Sequence, residues 1–208
     1  MATPANPTRL SLLSRVRDPS DVAAWREFED TYREMLVRFC LSQGSQHADA
    51  EDAVQTVFVN LSRALPGFVY DSSKGRFRDY LFRSVRNAIC GMHTKWRPMT
   101  GLGPLDGEDE SRIGADPAGD EPSPMEAAAW EKEWVAHHYR RALARVREQF
   151  EARSVEVFER NVSGVSVALL AQEYGMTDEA VYKLRMRIRE RMQELVQEQV
   201  REEDSPDG

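Results

Sequence analysis

The chain reads as all-α: two helical domains joined by a flexible acidic linker. Three observations predict this. Apolar residues recur at i, i+3 and i+4 through both halves, no stretch alternates as a strand would, and one central segment loses all periodicity. The boundaries that follow are 1–97 for the first domain, 98–125 for the linker, 126–200 for the second domain and 201–208 for a disordered tail.

In the first half, Asp18-Pro19-Ser20 is a helix start signal. The helix it opens runs to about Leu41, with Trp25, Phe28, Tyr32, Leu36 and Phe39 at helical spacing. A second helix follows Gly44. Its apolar stripe is Ala50, Ala53, Val54, Val57, Phe58, Leu61 and Leu65, and Asp49, Glu51 and Asp52 crowd its first turns, where the macrodipole favours negative charge. Pro66-Gly67 stops it, and Phe68 to Lys74 is a loop. A third helix runs from about Gly75 to Trp96, with Phe77, Leu81, Val85, Ala88, Ile89 and Met92 facing inward. Beyond the linker come helices from Glu126 to Arg147, near Ser154 to Arg160, and two more around Gly175.

Between Pro98 and Met125 seven acids face a single base, Arg112. Such a stretch buries too little apolar surface to offset the entropy of ordering it, and so reads as a linker. The 208 residues carry a net charge of −7, so nucleic-acid contact has to come from local patches. Two cysteines, Cys40 and Cys90, fit a reducing compartment rather than a disulfide framework. The N-terminus has no apolar signal segment and no run approaches a membrane span, so a cytoplasmic protein with no membrane partner is expected.

The segment from Val167 to Met186 is the most informative. A helix-turn-helix needs a small residue where its helices touch (Ala171), a glycine for the left-handed turn (Gly175) and a shared apolar core (Leu170, Tyr174, Met176, Val181, Leu184). Ser166 and Thr177 stand where the two N-caps belong. From Lys183 to Arg191 five bases oppose one acid. Basic side chains on this helix suit phosphate contacts, while residues near its N-terminus, Asp178, Glu179, Ala180 and Lys183, would meet base edges in the major groove.

A second basic patch runs from Lys74 to Arg97, seven bases against Asp79, with Phe77, Tyr80, Phe82 and Trp96 interleaved and Tyr70 just before it. A positive track with stacking faces suits single-stranded nucleic acid. The plainer reading is that the aromatics are core and the bases solvate a helix.

The run DAEDAVQTVFVNLSRALPGF, followed by KGRFRDYLFRSVRN, resembles the sigma domain that docks on the polymerase clamp and opens the minus-ten element. The run VSVALLAQEYGMTDEAVYKLRMRIRERMQEL is similar to the sigma domain that reads the minus-thirty-five element. As a whole the chain resembles an extracytoplasmic-function (ECF) sigma factor of the sigma-70 family of bacterial RNA polymerase. That resemblance implies a polymerase-docking helix carrying Asp49, Asp52, Gln55 and Phe58, with Phe58 either an interface anchor or a core residue. It implies a minus-ten strand path along Tyr70, Lys74, Arg76, Arg78, Tyr80, Arg83, Arg86 and Asn87. It also implies minus-thirty-five contacts from Ser166, Thr177, Asp178, Glu179, Ala180, Tyr182, Lys183, Arg185 and Arg187. The partners implied are the clamp and flap of core RNA polymerase, promoter DNA both duplex and single-stranded, and an anti-sigma factor. Thr56 stands where the family usually has an acid, and Tyr80 where tryptophan is common.

The rival is a conventional helix-turn-helix regulator that binds a palindromic duplex as a dimer. An enzyme is not expected. Cys90 and His93, with Cys40 and His47, have metal-ligand spacing, but both cysteines sit at helix positions that bury easily, so neither metal nor cofactor is expected. His137 and His138, adjacent on a helix, point about 100° apart.

Overall fold

The structure, a computed structural model, describes residues 12–67, 77–96 and 121–204. Among these residues there are eight α-helices and no strand. They are α1 (Leu12–Arg15), α2 (Val22–Ser42), α3 (His47–Ala64), α4 (Phe77–Trp96), α5 (Pro124–Gln149), α6 (Ala152–Val162), α7 (Val167–Tyr174) and α8 (Asp178–Asp204), with a 3-10 turn at Leu65–Gly67. None is long and apolar enough to cross a membrane. The chain divides into two compact units, Met1–Trp134 with Glu202–Gly208, and Val135–Arg201.

In the first unit α2 starts at Asp21, whose carboxylate accepts the Ala24 N–H at 2.8 Å and is held below its ordinary range chiefly by that bond and by Arg15. The helix buries Ala24, Phe28, Tyr32, Met35, Leu36, Phe39 and Cys40. Opposite them lie the stripe of α3 (Ala50, Ala53, Val54, Val57, Phe58, Leu61) and the inner face of α4 (Phe77, Leu81, Val85, Ala88, Ile89). Phe28 is the hub: its ring lies 4.8 Å from Tyr32, 5.9 Å from Phe77 and 6.1 Å from Phe58, all tilted or edge-on, as ring quadrupoles prefer. Cys40 is buried here, and burial pushes its thiol up to about 12, so it behaves as a small apolar side chain. Cys90 is exposed.

The sequence reading opens a separate domain at residue 126, yet the first turns of α5 belong to this unit. Trp130 stacks on Phe82 at 5.2 Å and meets Phe39 edge-on at 5.2 Å, and Trp134 follows one turn later. Periodicity identifies an apolar face without naming what covers it. Trp130 and Trp134 therefore look continuous with Ala142 and Val146, although they close a different core.

The second unit packs Ala142 and Val146 of α5 against Val155, Val157 and Phe158 of α6, Leu170 and Ala171 of α7, and Val181, Leu184, Ile188, Met192 and Leu195 of α8. Ser166 caps α7, its hydroxyl accepting the Leu169 N–H at 3.3 Å. Gly175 ends α7 in the left-handed region (φ 60, ψ 38), and the Met176 N–H returns to the Ala171 carbonyl at 2.8 Å. Thr177 then caps α8, accepting the Ala180 N–H at 3.2 Å. The turn between the helices is thus built from three residues that each do one thing: Gly175 reverses the chain, Met176 closes the loop and Thr177 restarts the helix. The last helix continues to Asp204, past residue 200, after which the sequence predicts a disordered tail. Residues 205–208, and 98–120 of the linker, lie outside the described residues.

Candidate nucleic-acid interface

On α3, Asp49, Asp52, Gln55 and Thr56 are exposed, and the Thr56 hydroxyl donates to the Asp52 carbonyl at 2.9 Å. Phe58 faces the other way. It is 6% exposed, packed edge-on to Phe28 and covered by the Arg33 guanidinium at 5.5 Å. Of the two placements open in the sequence, the structure gives the core. Arg33 also ties Glu51 (2.8 Å), Glu29 and the Gln55 amide oxygen (3.3 Å), so the acidic surface of α3 is partly neutralised on one side. Val59, not singled out in the sequence, adds a partly open apolar side chain to the same surface.

On α4 the basic residues divide. Arg83 is exposed. Arg78 is half-buried, ion-paired with Glu131 of α5, with its guanidinium 5.3 Å from the Trp134 ring. Arg86 is buried and meets Glu126 at 3.4 Å. Tyr80 is half-buried against the core, and burial raises its phenol. Asn87 is half-buried. The sequence supplies no local sign of these pairs, because the acids lie on a different helix beyond the linker. Tyr70, Lys74, Arg76 and the loop from Phe68 to Lys74 lie outside the described residues.

On α8 the opposite holds. Asp178, Glu179, Tyr182, Lys183 and Arg187 are exposed, Ala180 and Arg185 half-buried. Lys183 pairs with Glu179 at 2.7 Å, but both side chains are about three-quarters exposed, so the pair is weak. Arg185 donates to the Asn161 side-chain oxygen at 3.2 Å, and Arg187 sits 5.2 Å over the Phe150 ring. Beneath α8, Tyr174 at the end of α7 is clamped between two guanidinium groups of α6, Arg153 at 5.7 Å and Arg160 at 5.6 Å. Arg160 also binds Glu173 and donates to the Tyr174 hydroxyl at 3.3 Å, while Arg153 donates to the Tyr174 carbonyl. These contacts fix α7, and through the capped turn they fix where α8 begins.

The first unit is therefore a helical core closed by the start of α5, with α3 as its acidic outer helix. In the second, the basic stretch Lys183–Arg191 projects from the capped turn, although α8 as a whole carries more acids than bases. Residues 29–97 match the family described as Sigma-70 region 2, which spans most of α2 and all of α3 and α4. The match covers about a third of the chain, so this segment is similar to that region of the sigma-70 family, whose members are non-enzymatic transcription initiation factors. No curated protein matches the chain.

Proposed function

We propose that this chain is an ECF-type sigma factor that binds core RNA polymerase in the cytoplasm and directs promoter-specific initiation. The observation that carries the reading is one chain holding both a sigma-70 region 2 match and, after a long acidic segment, the capped α7–Gly175–α8 pair with its exposed bases. The exposed edge of α3, Asp49, Asp52 and Gln55, docks on a basic surface of the polymerase clamp, and Phe58 supports it from below.

Arg83 and the edge of Tyr80, with Tyr70, Lys74 and Arg76, follow the melted minus-ten strand, where base stacking contributes roughly 1–3 kcal/mol each. Arg78 and Arg86 join the same path once Glu131 and Glu126 exchange for phosphates, and Asn87 lies beside them. The α7–α8 pair acts as a helix-turn-helix. Ser166 and Thr177 orient its helix N-termini toward the backbone, and Asp178, Glu179, Ala180, Tyr182, Lys183, Arg185 and Arg187 face the duplex minus-thirty-five element. The linker's charge suits a channel otherwise filled by nucleic acid, and an anti-sigma factor would regulate the whole by covering these surfaces.

Run-off transcription with core polymerase and a genomic promoter library tests this: discrete transcripts are expected only when the chain is added. Absence of transcripts, together with tight binding of a palindromic duplex by a dimer without polymerase, would instead establish a conventional regulator.

A further inference from the structure

Two large apolar side chains on α8 are left on its outward side. Val181, Leu184 and Ile188 form the buried stripe, at 8% exposure or less, whereas Tyr182 is 51% and Met186 is 48% exposed. Single exposed apolar residues are ordinary on a protein surface. These two differ in placement. At i and i+4 they share one face, about 6 Å apart along the axis, with Lys183 and Arg187 beside them, and Asp178 one turn before and Glu190 one turn after in the same row.

Tyr182 is also held in position. The Arg185 guanidinium covers its ring at 5.8 Å, Arg185 is anchored on the Asn161 oxygen at 3.2 Å, and the Asn161 amide donates to the Val165 carbonyl at 2.9 Å. A relay from the loop before α7 thus fixes a side chain that has no part in the core.

We propose that Tyr182 and Met186 read thymine C5-methyl groups in the major groove, so that α8 selects base pairs by an apolar contact and uses its cations for the backbone. This rests on the reading of α8 as a duplex-reading helix. The thymine methyl is the one apolar group on the major-groove edge of the standard bases, and side chains that are apolar but flanked by cations match it where a protein core would not. A spacing of about 6 Å exceeds one base-pair step of about 3.4 Å, so the two side chains reach different, neighbouring base pairs. Asn161 and Arg185 are positioning residues that set the angle of Tyr182.

The test uses the full chain with core polymerase, and duplexes selected from a library randomised upstream of a fixed minus-ten element. Each thymine in the selected duplex is replaced in turn by deoxyuridine, which removes only the methyl. The wild-type chain is expected to lose about fourfold in affinity at one or two positions, the effect of one methyl-sized group leaving an apolar contact. Met186→Ala should abolish the loss at one of them and Tyr182→Ala at the other, with thermal melting unchanged because both side chains are exposed. Asn161→Ala should halve the Tyr182-dependent loss and spare the Met186-dependent one. Equal binding of thymine and deoxyuridine at every position, or losses that persist in both variants, would overturn the methyl readout and leave the duplex reading standing. Failure to select any duplex would overturn both.

Discussion

The helices α4 and α8 are both rich in Arg, yet they use it differently. On α4, Arg86 is buried against Glu126 and Arg78 is wedged between Glu131 and the Trp134 ring. On α8, Lys183 and Arg187 stand in solvent, their contacts confined to an exposed acid one turn away and a ring face. Charge counted along a sequence is therefore not charge available to a ligand. The patch from Lys74 to Arg97 has the larger formal excess, but among the described residues part of that excess is already spoken for by α5.

The largest expected effect that sharpens this contrast comes from Arg86→Ala. Removing one partner leaves Glu126 partly buried beside an empty guanidinium site. The chain should lose about 2–3 kcal/mol, below the range for fully buried pairs because Glu126 is a quarter exposed. Urea unfolding followed by tryptophan fluorescence measures it, since Trp130 lies in the same core; an unchanged midpoint would make α4's bases equivalent to those of α8.

A smaller loss is expected at Gly175→Ala. No atom lies within 4 Å of the added Cβ, so the cost is only that of holding a left-handed residue, about 1 kcal/mol. Gly175→Asn should recover part of it. A clash-sized loss of several kcal/mol would show that the turn is tighter than its geometry indicates.

Acidity separates the two units as well. His137, in the second, is depressed from 6.5 to about 3, first by burial and then by the charges of Arg141, His138 and Arg140. The unfolded chain takes up this proton at a higher pH than the folded one. The contribution to stability is therefore complete above about pH 6.5 and fades as pH falls toward 3. A urea midpoint that drops between pH 7.5 and 5 in the wild type, and drops less in His137→Gln, is the expected pattern; equal slopes would discard this source of acid sensitivity.

Smallest in stability is Arg187→Ala, expected to change folding by less than about 0.5 kcal/mol. Its effect belongs to binding: the slope of log K against log salt for duplex DNA should become shallower by about 0.9. An unchanged slope would remove Arg187 from the interface, and with it half of the contrast drawn above.

Legibility in the sequence followed sequence distance. The stripes of α2, α3 and α4 are patterns within a single helix, and so are the caps Ser166 and Thr177 and the glycine turn between α7 and α8. What the sequence leaves open joins distant residues. The Arg78–Glu131 and Arg86–Glu126 pairs and the seat of Trp130 depend on which face meets which. Phe58 is a case where periodicity was correct and the resemblance left two placements open, because a helix stripe and a docking anchor use the same residue type. Met186 is legible in another way: at i+5 from Val181 and i+2 from Leu184 it lies off the stripe those residues define, so its exposure follows from spacing alone.

The aromatic packing of α5 has a practical side. A shortened polypeptide ending at Arg97 would retain every residue of the family match, yet it would strip Trp130 from Phe39 and Phe82 and leave Arg78 and Arg86 without Glu131 and Glu126. Such a piece should stick to itself through the uncovered rings. The segment that carries the family likeness and the segment that folds are different lengths, and cloning by likeness would cut through the second.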